Sequence, residues 1–520
     1  MDELLWRRVE AWAERRPDQP AMRCRGEELT YSQFSQRTSQ LAEVLVASGV
    51  RRGDRVGLYL GKSLHTAIGV YGVLKAGAAY VPIDPTAPVE RVQAILADCG
   101  IQVLISQPDK IRRLPPDHSL SWIVGSADSE RFGGAEGIPW SVVEQAEGAM
   151  SPVTAAGSDL AYVMYTSGST GTPKGLMHTH ASGLAYTRLS AELYQVTHED
   201  RLGNHSPLHF DMSTFEFLTG PQQGATTVIL PEEATFFPRS MAELIEREKL
   251  TFWYSVPLAL IQLLEHGELE TRDMSSLRWV LFGGEPFAPK HLKRLMELWP
   301  TTRFSNVYGP AEVNQCTYYH LPGPLRDLSE PLPLGRVWNE TRGRVVGEGG
   351  ADVAIGEVGE LWISSPTMMR GYWGRPDLDV QAFADFEGDR YYRTGDLVQV
   401  LDSESLAFIG RKDRQVKVRG YRVELDEVEA VLTAHPDVVE VGVVAPKSED
   451  GVRRIVAAVR VHDGAPVTAE MLRSLAAETV PAYAVPETIE VRASLPHTTS
   501  GKVDRMRLTQ DFERPGLDFL

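Results

Sequence analysis

Between Arg55 and Phe282, short β-rich runs alternate with amphipathic helical stretches, and this alternation is the tightest constraint on the fold. Arg55–Leu60 (RVGLYL) reads as a buried strand and Leu64–Ala76 as the helix that follows it. Tyr80–Ile83, Arg91–Ala97 and Ile101–Ser106 continue the order strand, helix, strand. The rhythm returns at Thr226–Leu230, Met241–Glu248, Thr251–Ser255, Leu258–Leu264 and Trp279–Phe282. Parallel strands need crossover connections, so this grammar predicts an α/β fold with helices covering parallel sheets. After about Asp327 the texture changes to frequent Gly and Pro with short alternating runs (Gly343–Val346, Gly359–Ser364, Leu397–Leu401, Ala407–Ile409), which predicts a β-rich subdomain. From Lys412 a compact α+β unit is readable. It has a strand at Gln415–Val418, a helix at Leu425–Thr433, strands at Val438–Val444 and Ile455–Val461, and a helix at Ala469–Glu478. A boundary at Asp413 gives domains of 1–412 and 413–520. That suits a chain of 520 residues, too long for one core.

The formal net charge is −17. Phosphate backbones demand a basic face, so nucleic acid is not expected as a general partner. The N-terminal segment, Met1–Arg16, mixes acids and bases through Leu4, Leu5, Val9 and Trp12, which is an amphipathic helix and not a signal peptide. The longest apolar stretch, Thr66–Val81, is broken by Lys75 and too short for a bilayer, so no membrane anchor is expected. Cys24, Cys99 and Cys316 are far apart without metal-ligand spacing, which fits a reducing, cytoplasmic setting.

The segment Tyr165–Gly175, YTSGSTGTPKG, follows the apolar run Leu160–Met164. Glycine lets backbone N–H groups converge on an anion, hydroxyls add hydrogen bonds, and Lys174 supplies a mobile positive charge. Polyphosphate binding is the chemistry implied. A Walker A loop needs Gly before its Lys and Ser or Thr after it, whereas Pro173 and Gly175 stand there. A flexible surface turn is the bland alternative, and eleven residues of this composition after a buried strand argue against it.

At this loop the chain resembles the adenylate-forming superfamily of acyl-CoA synthetases, luciferases and nonribosomal peptide synthetase adenylation domains. Further matching segments run in family order: Leu74–Pro85 (LKAGAAYVPIDP), Asn306–Glu312 (NVYGPAE), Gly359–Leu361 (GEL), Tyr392–Leu397 (YRTGDL), Gly410–Leu425 (GRKDRQVKVRGYRVEL) and Pro496–Arg505 (PHTTSGKVDR). The resemblance implies a large N-terminal domain with a small mobile C-terminal lid, and ATP with Mg²⁺ as cofactors. It assigns Thr166, Ser167, Gly168, Ser169, Thr170 and Gly171 to the phosphates, Tyr308 with Gly309 to adenine, Asp396 and Arg411 to the ribose, and Glu312 to the metal. Ala311 departs from the family pattern, where a hydroxyl residue contacts the α-phosphate. Lys502 matches the catalytic lysine, which neutralises charge while the substrate carboxylate attacks the α-phosphorus, and Lys174 assists it. Asp413 matches the hinge about which the lid turns before thioester formation, a step that brings up Lys417 and Gly420. The basic run Arg411, Lys412, Arg414, Lys417, Arg419, Arg422 is a solvated face or a docking surface for an acidic carrier protein.

His209–Glu216 (HFDMSTFE) resembles the corresponding segment of amino-acid-activating members, with Asp211 pairing the substrate ammonium. A buried ammonium without such a partner is prohibitively costly. The alternative for Asp211 is a helix cap near Met212. The family's specificity positions fall on Met212, Phe215, Tyr254, Leu281, Gly283, Val307, Gln315 and Cys316, none of them charged. A small neutral amino acid such as alanine, glycine or serine is therefore expected. Asp211, Tyr254, Leu281, Cys316 and Lys502 also match free-standing prolyl–carrier protein ligases, so proline is a rival and a β-amino acid a third option. With no carrier segment read in the chain, the expected partner is a separate carrier protein bearing a phosphopantetheine arm, typical of secondary metabolism. Two competitors are an acyl-CoA synthetase and a catalytically silent nucleotide-binding scaffold.

Overall fold

The computed structural model describes residues 4–116, 118–129, 131–149, 153–168, 173–323, 332–447, 452–462, 464–498 and 502–513. The chain forms two compact units. The first comprises Met1–Pro85, Leu96–Tyr165 and Gly175–Gly410, and the second Thr86–Ile95, Thr166–Lys174 and Arg411–Leu520. The expected texture change at Asp327, and Ser169, Thr170 and Gly171 of the phosphate loop, lie outside the described residues.

The first unit contains two sheets, each of nine strands among the described residues. In one, Arg303–Tyr308, Trp279–Gly283, Phe252–Ser255, Arg201–Asn204, Thr226–Ile229 and Pro20–Cys24 pair side by side in parallel. Thr317–His320 adds an antiparallel edge beside Arg303–Tyr308. In the other, Ala79–Pro82, Arg55–Tyr59, Val103–Ser106 and Trp122–Ser126 are parallel neighbours. The strands at 55–59, 79–82, 103–106, 226–229, 252–255 and 279–283 are those the sequence rhythm predicts, within one or two residues, whereas Pro20–Cys24, Trp122–Ser126, Arg201–Asn204, Arg303–Tyr308 and Thr317–His320 were not foreseen. Most of their residues are buried, as befits parallel strands covered by helices. The helix Leu64–Lys75 is buried along nearly its whole length, and the helix His180–Tyr194 starts on a Thr179 capping box directly after the strand Lys174–Thr179. Arg7–Arg15 is the expected N-terminal helix, with Leu4, Leu5 and Val9 buried.

The expected β-rich part is a sheet of Arg342–Val346, Val358–Ser364, Asp389–Val400 and Phe383–Phe386, with Leu406–Arg411 also paired to the long strand. In the second unit a two-stranded hairpin, Gln415–Val418 and Tyr421–Glu424, precedes the helix Leu425–Thr433 and a three-stranded sheet of Val438–Val444, Val456–Val461 and Thr488–Val491. Arg419 and Gly420 both have positive φ, +52° and +82°, the pairing demanded by a two-residue hairpin turn of the mirror-image type. Among the described residues no helix is long and apolar enough to cross a membrane, and the three cysteines are free and buried.

Candidate active site

Open parallel sheets bind ligands beyond the carboxyl ends of their strands. The candidate pocket follows that rule. Tyr254 stands beside Leu281 across one strand pair, and Gly283 beside Val307 across the next. Phe215, Tyr254, Leu281 and Val307 are buried in one apolar cluster, with Met212 packed against it. Phe215 meets Tyr254 edge-on at 6.0 Å between ring centroids. Gly283 owes its identity to the backbone: a Cβ there would stand 2.1 Å from the Val307 carbonyl oxygen. The space beside this glycine is thus taken up by the neighbouring strand.

Asp211 opens a short 3₁₀ turn, Asp211–Ser213, and a π-helical turn follows at Phe215–Thr219. The Asp211 carboxylate accepts the adjacent Met212 N–H at 3.0 Å, but Asp211 is the first residue of the turn and Phe210 its N-cap, so the helix-cap alternative is not what the structure shows. The carboxylate also acts on the ring hydroxyls of Tyr162 and Tyr254, whose ionisation burial opposes first and the Asp211 charge second. The Asn314 side chain donates to Thr214 Oγ1 at 3.1 Å, tying the segment before Gln315 to the turn after Asp211.

On the nucleotide side, the Tyr308 hydroxyl donates to Asp396 Oδ2, joining the two residues assigned to adenine and ribose. Gly309 is required because a Cβ would lie 1.6 Å from the Asn314 carbonyl oxygen. Glu312 is fully buried, and Tyr372 donates to its Oε1 at 3.1 Å. Next to it, the His178 ring donates from Nε2 to the Ala311 carbonyl at 3.1 Å and stacks on Tyr162 at 4.8 Å. Burial pushes His178 down to about 4, so the ring is neutral at pH 7. Among the described residues no group of three or more His, Cys, Asp or Glu could hold a metal. A Mg²⁺ ion there would rely on Glu312 and on phosphate oxygens, a donor set this ion accepts.

The phosphate loop leaves the strand Leu160–Thr166 and re-enters the sheet at Lys174–Thr179. Its stems are held by residues the sequence did not single out. Tyr165 donates to Asp98 Oδ2 at 2.6 Å, Arg375 donates to Asp98 Oδ1 at 2.9 Å, and the Trp373 indole donates to the Asp98 carbonyl at 3.0 Å. The Trp373 N–H closes the circuit on the Gly175 carbonyl at 2.8 Å. The Thr166 hydroxyl is buried with no hydrogen-bond partner, as a donor reserved for an anion would be. No spacing rule links Asp98 to Tyr165, so only the fold reveals this clamp.

In the second unit, the Ser167 hydroxyl donates to the Arg422 carbonyl at 3.2 Å. Arg91 pairs with Glu427 at 2.9 Å, both nearly fully buried, and Lys174 lies close enough to influence that carboxylate. Arg411 grips Asp413 with two hydrogen bonds of 2.6 Å. Burial works to raise the Asp413 carboxyl, but Arg411, the Gln415 N–H and Arg422 together hold the group below the ordinary carboxylate range. Arg414 pairs with Asp426 and Glu429, and Arg419 with Glu487. Three cations of the basic run are thus already matched by carboxylates of their own unit, which removes much of the charge expected to meet a carrier protein. Lys417 lies on the first hairpin strand and Gly420 in its turn. Lys502 is exposed, and its carbonyl accepts the Thr498 N–H at 2.8 Å within a small turn-back of chain.

The two-unit fold and this set of residues define an adenylate-forming enzyme, and the chain belongs to that family: residues 9–373 match the AMP-binding enzyme model and residues 427–502 match the AMP-binding enzyme C-terminal domain. It is 31% identical to an L-proline–[L-prolyl-carrier protein] ligase of Pseudomonas fluorescens, over 98% of this chain and 99% of that protein. It is 35% identical to a ligase of the same name from Streptomyces coelicolor, over 93% of this chain and 92% of that one. Among solved structures, the amide bond synthetase McbA from Marinactinospora thermotolerans superposes with a TM-score of 0.86 at 27% identity, covering 98% of this chain and all of that one.

Proposed function

We propose that this enzyme activates a small neutral amino acid with ATP, forming aminoacyl-AMP and pyrophosphate, then passes the aminoacyl group to the pantetheine thiol of a separate carrier protein. The observation that carries this reading is Asp211 set beside an uncharged, close-packed lining at the ends of adjacent parallel strands. An ammonium needs the acid, and a charged side chain would find no partner in such a lining. The carrier-protein ligases at 31% and 35% identity support both the amino acid and the carrier.

In the first step a substrate carboxylate oxygen bonds to the α-phosphorus and the bond to pyrophosphate breaks. No protein nucleophile takes part, so this chain's residues position the reactants and neutralise charge. The orphaned Thr166 hydroxyl, Ser167, Gly168 and Lys174 hold the phosphates. The Tyr308–Asp396 pair receives the nucleoside, with Arg411 in support. Lys502 steadies the carboxylate and phosphate as negative charge builds. Glu312 would hold Mg²⁺, which when bound would supply further charge neutralisation at the phosphates. In the second step the thiol sulfur bonds to the acyl carbon and AMP leaves, with Asp413 as the hinge and Lys417 and Gly420 on the hairpin that serves the arm. The three buried free thiols suit a reducing compartment such as the cytoplasm.

The test is ATP–pyrophosphate exchange with a panel of proline, alanine, glycine, serine, β-amino acids, charged amino acids and fatty acids. Exchange led by a small neutral amino acid is expected. Best activity with aspartate, glutamate, lysine or a fatty acid would overturn the reading.

A further inference from the structure

Gln315 is only 3% exposed, yet neither its amide nitrogen nor its amide oxygen reaches a hydrogen-bond partner. Among the described residues it is the one buried side-chain amide left unpaired at both atoms. Its neighbour in the pocket is Tyr254, whose hydroxyl the amide influences without the geometry of a hydrogen bond. The same hydroxyl feels the Asp211 charge, so amide and acid address one space. The backbone on either side is pinned. Asn314, at φ +67°, bonds to Thr214, and the Cys316 N–H donates to the Tyr308 carbonyl at 2.9 Å. The amide is therefore held in place and dehydrated before any ligand arrives. Burying a polar group unpaired costs free energy, so such a group in a binding site points to a ligand that completes it.

We infer that Gln315 reads a neutral hydrogen-bonding group on the substrate side chain, so that the preferred amino acid carries a hydroxyl or carboxamide and not a purely aliphatic side chain or ring. This rests on the amino-acid-activating reading above and narrows it. A hydroxyl both donates and accepts, which suits an amide offering one of each. It is also compact enough for a pocket crowded by Phe215, Tyr254 and Leu281. Sites built around such a bond discriminate strongly against the analogue lacking it, because the protein's own polar group then stays unpaired.

The experiment compares matched pairs by kcat/KM in the exchange assay: serine with alanine, threonine with valine, 4-hydroxyproline with proline. The wild type is expected to favour the hydroxylated member of at least one pair by about tenfold or more. The near-isosteric variant Gln315→Met is expected to abolish that preference. It should not lower the thermal midpoint of the free protein, since it removes an unpaired buried amide. A wild type that favours the aliphatic member of every pair, with ratios unchanged in Gln315→Met, would overturn the inference while leaving amino acid activation intact. A marked loss of stability in Gln315→Met would also overturn it, by assigning the amide a structural role. No exchange with any amino acid would instead sink the underlying reading.

Discussion

The pocket at the strand ends and the segment bearing Lys502 are built on opposite principles. The first is main chain and close-packed rings: Phe215 and Leu281 are fully buried, and Gly283 admits no side chain. The second is an exposed lysine on a small turn, in a unit whose arginines are tied by ion pairs near the surface. Packed interiors transmit any change in volume, whereas exposed ion pairs contribute roughly 0–1 kcal/mol and rearrange easily. On the proposed reading, a rigid part of the molecule reads the substrate, and the lysine assigned to the reaction sits where its replacement is expected to leave the fold intact.

Breaking the packed side should cost most. Phe215→Ala is expected to lower unfolding free energy by about 3–5 kcal/mol, as read from urea denaturation, because the cavity lies inside an apolar cluster. An equal effect on catalysis with no loss of stability would erase the contrast. Lys502→Ala is expected to slow pyrophosphate exchange by roughly 10²-fold or more with an unchanged thermal midpoint. Normal exchange in this variant would end the assignment of the lysine. Asp98→Asn lies between the two extremes, since Asp98 touches no substrate but holds the loop stems through Tyr165 and Arg375. Its KM for ATP should rise by roughly tenfold, one hydrogen bond's worth, with kcat nearly unchanged. A fall in kcat alone would contradict a positioning role.

Acidity offers a subtler probe of the packed side. Burial raises the Glu216 carboxyl from 4.5 to about 8, where its Oε2 accepts from Asn204 at 3.3 Å. The folded state then holds a proton that the unfolded chain releases. This group's stabilising contribution is complete below pH 4.5 and is lost as pH rises through about 8. Burial lowers nearby Lys62 from 10.5 to about 8, so between those values the unfolded chain binds more protons and stability recovers as pH rises. Glu216→Gln should flatten the decline from about pH 5 to 8 in urea midpoints. A slope identical to wild type would show that Glu216 does not titrate there. The smallest effect belongs to the ion-paired hairpin. Thioester transfer should change by less than about twofold between low and high salt, because Arg411, Arg414 and Arg419 already have partners. A steep salt dependence would restore the basic run as a docking surface.

Most of the fold was legible because helix and strand periods differ and the strands are short and apolar. The helix Leu425–Thr433 and the strand Val438–Val444 fall where the pattern puts them, to the residue. Of the positions the resemblance assigned to the pocket, Phe215, Tyr254, Leu281 and Val307 do fall in one apolar cluster, with Met212 packed against it. The Asp98 clamp and the His178–Ala311 contact were not legible. Each joins residues far apart in sequence through side-chain geometry that no local rule encodes. The resemblance gave Gly283 to the specificity pocket and Gly420 to the thioester step. Strand approach and a hairpin turn explain them with ligands left aside.

The strand contact at Gly283 has a consequence for anyone wishing to redirect this catalyst. Enlarging that residue would jam two strands together. On the proposed reading, redesign would work through Met212, Phe215, Tyr254, Leu281, Gln315 and Cys316, with the strand floor as a fixed datum against which every tolerated change of taste is measured.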